Sequence, residues 1–213
     1  MLSGVLARLV ATAIVFLAQI VTAVRGVWEG VEPVAAKRVY FANHTSNGDF
    51  VLIWTVLAPH MRRKTRPVAA SDYWLRSRLR AFIGQRVFNA VLIDRNPQTR
   101  QQDPVALMVA ALDGGSSLII FPEGGRNTDD DTLLPFKSGL FHLASQRPEI
   151  DLVPVWIENL NHVMPKGEIL PIPLICTVRF GAPLRLQYGE SKPDFLSRAQ
   201  AALLALKDRR DPA

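Results

Sequence analysis

Hydrophobic residues form one long run at the start of the chain and only short runs after it. From Val5 to Val24 the sole charged residue is Arg8. A helix of about 20 residues is about 30 Å long, close to the hydrocarbon thickness of a bilayer. This length fits a signal peptide, a membrane-spanning helix, a helix lying in the membrane interface, or a core helix. A signal peptide is the weaker interpretation, because Thr22-Ala23-Val24-Arg25 makes a poor cleavage site.

The polar residues of this run share one stripe of the predicted helix. Steps of four, seven and three separate Arg8, Thr12, Gln19 and Thr22. Such spacing places side chains on one face of a helix. The stripe suits a helix that lies on a surface or packs against the protein body. We therefore predict membrane attachment through residues 1–26, and the pattern leaves open whether the helix spans the membrane or lies along it.

After Arg25, short apolar runs typical of strands alternate with helix-like stretches. The predicted strands are Arg38–Ala42, Pro67–Ala70, Val91–Ile93, Ser117–Phe121, Leu152–Val155 and Ile175–Phe180. The predicted helices are Phe50–Leu57, Tyr73–Ile83, Val105–Leu112, Ser138–Ser145 and Pro193–Lys207. This alternation predicts a single-domain α/β sandwich with a mixed, mainly parallel sheet. Because proline cannot donate to a ladder, Pro154 favours an edge position or a strand end for its strand.

Composition and charge narrow the classes of partner. The chain has 213 residues, 48% of them hydrophobic, and a formal net charge of +6. This balance favours anionic partners such as nucleic acid, anionic lipid headgroups or phosphorylated substrates. The single cysteine, Cys176, excludes an internal disulfide and a cysteine-rich zinc site. Its apolar neighbours predict a buried core thiol.

Basic residues concentrate in one region. Between positions 62 and 80, Asp72 is the only acid, whereas seven residues are basic: Arg62, Arg63, Lys64, Arg66, Arg76, Arg78 and Arg80. Such a cluster could contact anionic lipid, dock an acidic acyl carrier protein, or remain a solvated face. Nucleic-acid binding is the weakest interpretation, because no recognised binding motif accompanies the charge.

A histidine and an aspartate five positions apart form the first candidate site. His44 lies just past a predicted strand, and Asp49 lies near the start of a helix. A turn through residues 46–48 could fold the carboxylate back onto the imidazole. The carboxylate would keep one ring nitrogen protonated and leave the other free as a base. The alternative is a loop histidine and a helix-capping aspartate with no chemistry.

Three further segments carry candidate ligand-binding residues. The turn Glu123-Gly124-Gly125-Arg126 follows a buried strand, and its glycines allow backbone N–H groups to approach an anion. Lys137 precedes a helix, and Arg95 directly follows another strand. Each has a plain alternative, since a surface turn with a salt bridge or a solvated lysine would show the same residues. His142, beside Leu140 and Leu143, fits a packed or half-exposed residue better than a ligand.

These blocks, in this order, resemble the glycerophospholipid acyltransferase superfamily, whose type member is 1-acylglycerol-3-phosphate acyltransferase. That family shows a His-x4-Asp block, a Gly…Ile-Asp-Arg block, Phe-Pro-Glu-Gly-Thr-Arg-Ser, and Val-Pro-Val. Their counterparts here lie between Phe41 and Val155. Two positions depart from the family pattern, Gly125 in place of threonine and Asn127 in place of serine, so headgroup preference is expected to differ.

The resemblance implies residue roles and co-substrates. It implies that His44 deprotonates an acceptor hydroxyl and that Asp49 orients it. It implies that Arg95 and the turn of Glu123, Gly124 and Arg126 bind a lysophospholipid acceptor, with the arginines near its phosphate. The donor would be acyl-CoA or acyl-carrier protein, with no metal or bound prosthetic group. The chain also has no Gly-x-Ser-x-Gly elbow, which agrees with direct attack on an already activated thioester.

The resemblance also implies a location and leaves two alternatives. It favours a catalytic domain over residues 27–213, held by the N-terminal helix at the cytosolic face of the inner membrane. The acceptor would come from that membrane, whose anionic surface would be a partner, and nucleic acid would not. The alternatives are another lysolipid or lyso-aminolipid acceptor, and a catalytically silent membrane-binding protein of the same fold.

Overall fold

The computed structural model describes residues 2–127, 132–158 and 176–207. Its helices are α1 (Leu2–Thr22), α2 (Asp49–Val56), α3 (Pro59–Arg62), α4 (Ser71–Trp74), α5 (Arg78–Phe82), α6 (Pro104–Asp113), α7 (Gly139–Gln146) and α8 (Lys192–Leu204), with a π-helical turn at Ile83–Val87. Its strands are β1 (Arg25–Trp28), β2 (Arg38–Ala42), β3 (Thr65–Ala70), β4 (Val91–Ile93), β5 (Ser117–Ile120), β6 (Asp151–Glu158) and β7 (Thr177–Phe180).

The strands form one sheet in the order β1-β7-β6-β2-β5-β3-β4. All neighbouring pairs are parallel except β6 with β7. The predicted α/β fold with a mixed, mainly parallel sheet and a preceding apolar helix is therefore confirmed. Because β2, β5, β3 and β4 are parallel neighbours, their carboxyl ends meet at one edge of the sheet, where ligands commonly bind in such folds.

The sheet is covered on both faces. Strand β2 is buried throughout, and its alternate residues enter two separate cores. Val39 and Phe41 face the core that α6, α7 and α8 cover, whereas Tyr40 and Ala42 face the core under α1 and α2. Burial on both faces explains why the strands read as continuous apolar runs.

Helix α1 presents apolar side chains both inward and outward. Its inner face buries Ala7 and Val15 and packs against α2 and the π-helical turn. Its outer face leaves six large apolar side chains more than half exposed: Val5, Leu6, Leu9, Phe16, Leu17 and Ile20. By length and composition, residues Gly4–Thr22 could cross a membrane. Of the polar stripe, Arg8, Thr12 and Gln19 are exposed, while Thr22 is buried and bonds to the Ala18 carbonyl at 2.6 Å.

The expectation that Pro154 marks an edge or a strand end is wrong. Strand β6 lies between β7 and β2, and Pro154 sits inside it, paired in register with Phe41. The Pro154 carbonyl accepts from the Gly181 N–H at 2.9 Å, so the missing donor faces β7. The regular β6–β7 ladder starts only at Val155, opposite Phe180, so the proline removes no bond of that ladder.

The continuous helix expected over Tyr73–Ile83 is also wrong. The chain forms α4, breaks, and restarts as α5 before the π-helical turn. The break lies at Ser77, whose extended backbone begins α5 and whose hydroxyl accepts from the Arg80 N–H at 3.3 Å. Serine in this position competes for the backbone and caps a new helix. Strand β1 was not predicted, and Ile175, the expected start of the last strand, lies outside the described residues.

Candidate active site

A cleft of about 1080 Å³ opens at the carboxyl ends of the parallel strands. The segments that follow β2, β5, β3 and β4 contribute to its lining, and they carry His44, Phe121, Asp72 and Arg95 respectively. An apolar wall continues the cleft toward α6 and α7, with the side chains Val68, Ile93, Val105, Met108, Ile120 and Leu140. The cleft thus joins a polar mouth to an apolar interior, a shape that suits an amphiphilic ligand.

His44 and Asp49 form a hydrogen-bonded pair. The His44 Nδ1 lies 2.8 Å from Asp49 Oδ2, and the carboxylate is buried while the imidazole side chain is 19% exposed. Since an ionised carboxylate only accepts, Nδ1 carries the proton and Nε2 is left free to accept one. The ring lines the cleft, so the pair has the arrangement of a general base with its orienting carboxylate.

The Asp49 carboxylate also closes the loop that precedes it. Its Oδ2 accepts from the backbone N–H groups of Thr45 at 2.7 Å and Ser46 at 2.9 Å. Asp49 is the first residue of α2, where the helix dipole favours a negative charge. Its Oδ1 is buried and finds no hydrogen-bond partner among the described residues. The aspartate therefore organises the histidine loop and does not act as a helix cap.

Phe121 holds the imidazole ring from the neighbouring strand. The rings of His44 and Phe121 are stacked, with centroids 4.2 Å apart and an interplanar angle of 17°. Phe121 directly follows β5, the parallel neighbour of β2. Its stacking and the Asp49 bond together fix both the plane and the rotation of the ring.

Glu123 lies elsewhere than the sequence predicted. It is 2% exposed, and its two carboxylate oxygens accept from the backbone N–H groups of His44 and Leu134, each at 2.8 Å. Burial raises the pKa of Glu123, and these two hydrogen bonds oppose that rise. It does not line the cleft. The Glu123 side chain therefore holds the His44 loop and lies outside the cleft lining, so the structure does not bring it to the ligand cleft as the sequence predicted.

The other members of the turn do face the cleft, as predicted. Gly124, Gly125, Arg126 and Lys137 all line it. Gly124 has a φ of +74°, and a β-carbon there would lie 3.0 Å from Lys137 Cγ. The Lys137 N–H also donates to the Pro122 carbonyl at 2.7 Å. Because Gly124 has no β-carbon, the aliphatic part of the Lys137 side chain can lie against the turn. Lys137 and Arg126 therefore both lie at this edge of the cleft.

Arg95 lines the cleft from the β4 side. Its guanidinium pairs with the Asp72 carboxylate at 3.1 Å, and both side chains are more than half exposed. An exposed pair of this kind is worth little, so a ligand phosphate can compete with Asp72 for the arginine. The structure brings Arg95 to the same cleft as His44, but with a partner that the sequence did not predict.

Two residues that hold His44 in place, Asn43 and Asn127, were not predicted in these roles. Asn43 is buried, and its side-chain amide exchanges two hydrogen bonds with the Ile157 backbone, at 3.0 and 2.8 Å. It extends the pairing of β2 with β6 by one step and so fixes the residue before His44. The Asn127 N–H donates to the His44 carbonyl at 2.6 Å. Their places inside the two recognised blocks were the available signal.

His142 and Cys176 are two further titratable groups near the site. His142 is exposed and lines the cleft instead of packing into the core. Cys176 is buried as predicted, and burial together with the nearby Asp49 charge raises its pKa to about 11. Among the residues that the structure describes, no three His, Cys, Asp or Glu side chains group in a way that could hold a metal ion.

Two residues of the predicted basic cluster, Arg62 and Arg66, form hydrogen bonds with backbone carbonyls of the protein itself. Arg62 donates to the carbonyls of Trp54, Thr55 and Leu57 at 2.8–2.9 Å and so satisfies the carboxyl end of α2. Arg66 donates to the Asn89 carbonyl at 2.6 Å. Of the other cluster members, Arg63, Lys64, Arg76 and Arg78 are exposed, and Arg76 lines the cleft.

Comparisons with known proteins identify a family for the chain. The family model described as Acyltransferase matches residues 28–158. A 1-acyl-sn-glycerol-3-phosphate acyltransferase of Limnanthes alba is 32% identical over 161 residues, which cover 73% of this chain and 53% of that protein. The enzyme of the same description from Salmonella typhimurium is 30% identical over 131 residues, 58% of this chain and 48% of that protein.

A solved structure has the same fold. The crystal structure of the 1-acyl-sn-glycerophosphate (LPA) acyltransferase PlsC from Thermotoga maritima aligns with a TM-score of 0.69. It is 19% identical, and the alignment covers 97% of this chain and 83% of that one. In sequence, the chain spans about half the length of the curated relatives it matches.

Proposed function

The chain belongs to the acyltransferase family, and from this premise we propose that it transfers a fatty acyl group from a thioester to the free hydroxyl of a lysophospholipid. The leading acceptor is 1-acyl-sn-glycerol 3-phosphate, which would become phosphatidic acid. The observation that carries the proposal is the His44–Asp49 pair at 2.8 Å, set in a cleft with cationic and apolar walls.

The reaction needs a base and no covalent enzyme intermediate. His44 Nε2 removes the proton from the acceptor hydroxyl as its oxygen attacks the thioester carbonyl, and Asp49 stabilises the imidazolium. Collapse of the tetrahedral intermediate breaks the carbon–sulfur bond and forms the ester. The imidazolium then returns the proton to the departing thiolate, which leaves as a free thiol. The histidine is restored, so the cycle balances.

The charges around the cleft support a phosphorylated acceptor. Arg126 and Lys137 lie on one side of the cleft and Arg95 on another, and arginine forks match phosphate oxygens. The apolar wall toward Met108 and Leu140 is suited to an acyl chain. The same features accept either acyl-CoA or acyl-carrier protein as donor, because both deliver the chain as a thioester.

The location follows from the nature of the acceptor. A lysophospholipid resides in the bilayer, and a thioester donor is made in the cytosol, so an interfacial enzyme on the cytosolic face reaches both. Helix α1 supports this placement through its outward apolar stripe. Its inner face packs against the body, which favours attachment along the membrane surface over a free spanning helix.

The test compares thiol release and product formation by the full chain with and without lysophosphatidate. We expect His44→Ala to lose activity by at least about 100-fold, because a positioned base contributes about 10²–10⁴-fold. Asp49→Asn should fall similarly, because it leaves the ring in the wrong tautomer. His60→Ala, an exposed histidine outside the cleft lining, is the matched control.

Two results would contradict the proposal. Equal rates in His44→Ala and the parent chain would remove the histidine from the mechanism. Membrane binding without thioester consumption, for every lysolipid and lyso-aminolipid acceptor tried, would favour a silent membrane-binding protein. Rapid turnover of a different lysolipid would keep the reaction and change the acceptor, and the open space beside Gly125 makes that panel informative.

A further inference from the structure

A short run of leucine, arginine and serine lies exposed from the end of α4 into the first turn of α5. All five residues Leu75–Leu79, with the sequence Leu-Arg-Ser-Arg-Leu, are exposed. Leu75 is 53% and Leu79 69% exposed, and Tyr73 beside them is 39% exposed. We call residues 73–80 the α4–α5 lip. Single exposed leucines are ordinary on a protein surface, but two leucines that flank arginines in one short segment indicate a binding surface.

The lip is a structured element. Ser77 caps α5, and the Arg80 guanidinium lies 4.6 Å from the centre of the Tyr73 ring. The Trp74 ring packs edge-on against Phe50 and Phe88, with centroids 6.0 and 6.1 Å away. Because the lip is anchored from beneath by these rings, its leucines are held outward on a fixed support.

Position ties the lip to the cleft and to α1. Tyr73, Trp74 and Arg76 line the same cleft as His44. The π-helical turn that follows α5 contacts α1, whose outward face is apolar. The lip therefore stands at the mouth of the cleft, on an element that adjoins the proposed membrane-facing helix.

The charge of the lip selects the kind of partner. Arg76, Arg78 and Arg80 contribute three positive charges within five residues. Residues 73–80 include no acid, and the preceding Asp72 is paired with Arg95. Leucine that enters the hydrocarbon boundary while arginine stays among phosphates is the pattern of an interfacial membrane contact. An anionic bilayer offers hydrocarbon to the leucines and phosphate to the arginines at the same time. It therefore fits better than an acidic protein, whose carboxylates would pair mainly with the arginines.

We propose that the α4–α5 lip inserts Leu75 and Leu79 into an anionic membrane interface, as a second contact separate from α1. The contact holds the cleft mouth against the lipid, so that the acceptor enters from the bilayer without crossing water. The entry route rests on the proposed function, whereas the membrane contact of the lip does not.

The contact is tested with an environment-sensitive fluorophore on Leu79→Cys, in full chain carrying Cys176→Ser. We expect a blue shift on phosphatidylcholine vesicles that contain phosphatidylglycerol, and a smaller one on phosphatidylcholine alone. The same label on Tyr188→Cys, which is fully exposed and outside the cleft lining, should not shift. An unshifted Leu79 label on protein that is bound to vesicles would overturn the proposal, as would a shift caused by acyl carrier protein in place of vesicles.

A second experiment separates lipid entry from chemistry. Leu75→Ser/Leu79→Ser should lower the rate on lysophosphatidate held in vesicles by about tenfold, since interfacial affinity scales with buried apolar area. The rate on a short-chain, monomeric lysophosphatidate should stay unchanged. Equal losses on both acceptors would contradict lipid entry at the lip. If no acceptor is acylated at all, the proposed function fails, and the fluorophore still decides whether the lip meets the membrane.

Discussion

The backbone N–H of His44 donates to Glu123 Oε1 at 2.8 Å, so a buried carboxylate holds the proposed base by its main chain. The Asn127 N–H grips the carbonyl of the same residue at 2.6 Å. Both contacts come from the loop after β5, the parallel neighbour of β2. The position of the histidine thus depends on a second loop as much as on its own, and Glu123 is a positioning residue.

Replacing Glu123 tests that dependence. In Glu123→Gln one carboxylate oxygen becomes an NH₂ group, so one backbone donor loses its acceptor. We expect the free energy of unfolding to fall by about 1–3 kcal/mol. A misplaced base should lower kcat by about 10–100-fold and change the acceptor KM little. The exposed Glu149→Gln is the matched control, and a rise in KM with unchanged kcat would instead mean that Glu123 binds substrate.

The raised pKa of Glu123 gives this substitution a pH signature. Burial raises that pKa above its ordinary value of 4.5. Because the folded chain favours the protonated form of Glu123, this form adds stability at a pH below the ordinary pKa. That stability is lost as the pH rises through the raised pKa of the folded chain. The stability difference between the parent chain and Glu123→Gln should therefore shrink as pH rises from 4.5 toward neutrality. Denaturant titrations of both proteins at several pH values measure it, and a constant difference would contradict the assignment.

The two glycines of the turn should respond differently to alanine. Gly124 has a φ of +74°, and a β-carbon there would crowd Lys137. We expect Gly124→Ala to cost about 1–2 kcal/mol of stability and to raise the acceptor KM as the lysine shifts. At Gly125 a β-carbon would meet no described atom within 4 Å. Gly125→Ala should therefore stay within about 0.5 kcal/mol of the parent chain. Thermal unfolding and acceptor titrations check both variants, and equal behaviour would contradict the geometry.

Arg95 should matter for a phosphorylated acceptor in particular. Arg95→Ala should raise the lysophosphatidate KM by about tenfold, as loss of a charged hydrogen bond predicts, with donor use unchanged. Asp72→Asn, which frees the arginine, should leave this KM unchanged or lower it. Arg185→Ala removes another exposed ion pair, outside the cleft lining, and serves as control. A phosphate-free acceptor that suffers equally would remove the phosphate role.

The Cys176 thiol should be unreactive in the folded chain. Its pKa is raised to about 11, first by burial and then by the Asp49 charge, so the thiolate is scarce at pH 8. We expect a thiol reagent to label it only after unfolding. Because a raised pKa adds stability that is lost as pH rises through the folded value, this contribution disappears between about pH 9 and 11. Fast labelling of native protein at pH 8 would contradict both statements.

Local signals were sufficient for most of the fold. Apolar runs predicted β2 and β4 correctly, and Pro104 and Gly114 marked the two ends of α6. Each of these signals depends only on residues that are close in sequence. Two features of the fold, the place of Pro154 and the break at Ser77, could not be predicted from such local signals. The place of Pro154 depends on where β7 stops pairing, and the break at Ser77 depends on a hydroxyl that competes with a helical pattern.

The sequence predicted which residues belong to the site better than it predicted what each of them contacts. His44 and Asp49 pair as the spacing indicated, because five residues close a loop on themselves. Glu123 was assigned to the ligand, since a motif does not tell which side of a turn an acid faces. The contacts of Asn43 with Ile157, 114 positions away, follow only from the packing of β2 on β6.

The two-sided character of α1 has a consequence for how this protein can be handled. The Thr22 carbonyl accepts from the Cys176 N–H at 2.9 Å, and Val15 belongs to the core beneath the helix. Cutting the helix away to make a soluble fragment would therefore uncover the interior along one flank of the sheet. Detergent that coats only the outer stripe should preserve a folded protein, whereas truncation should yield aggregates.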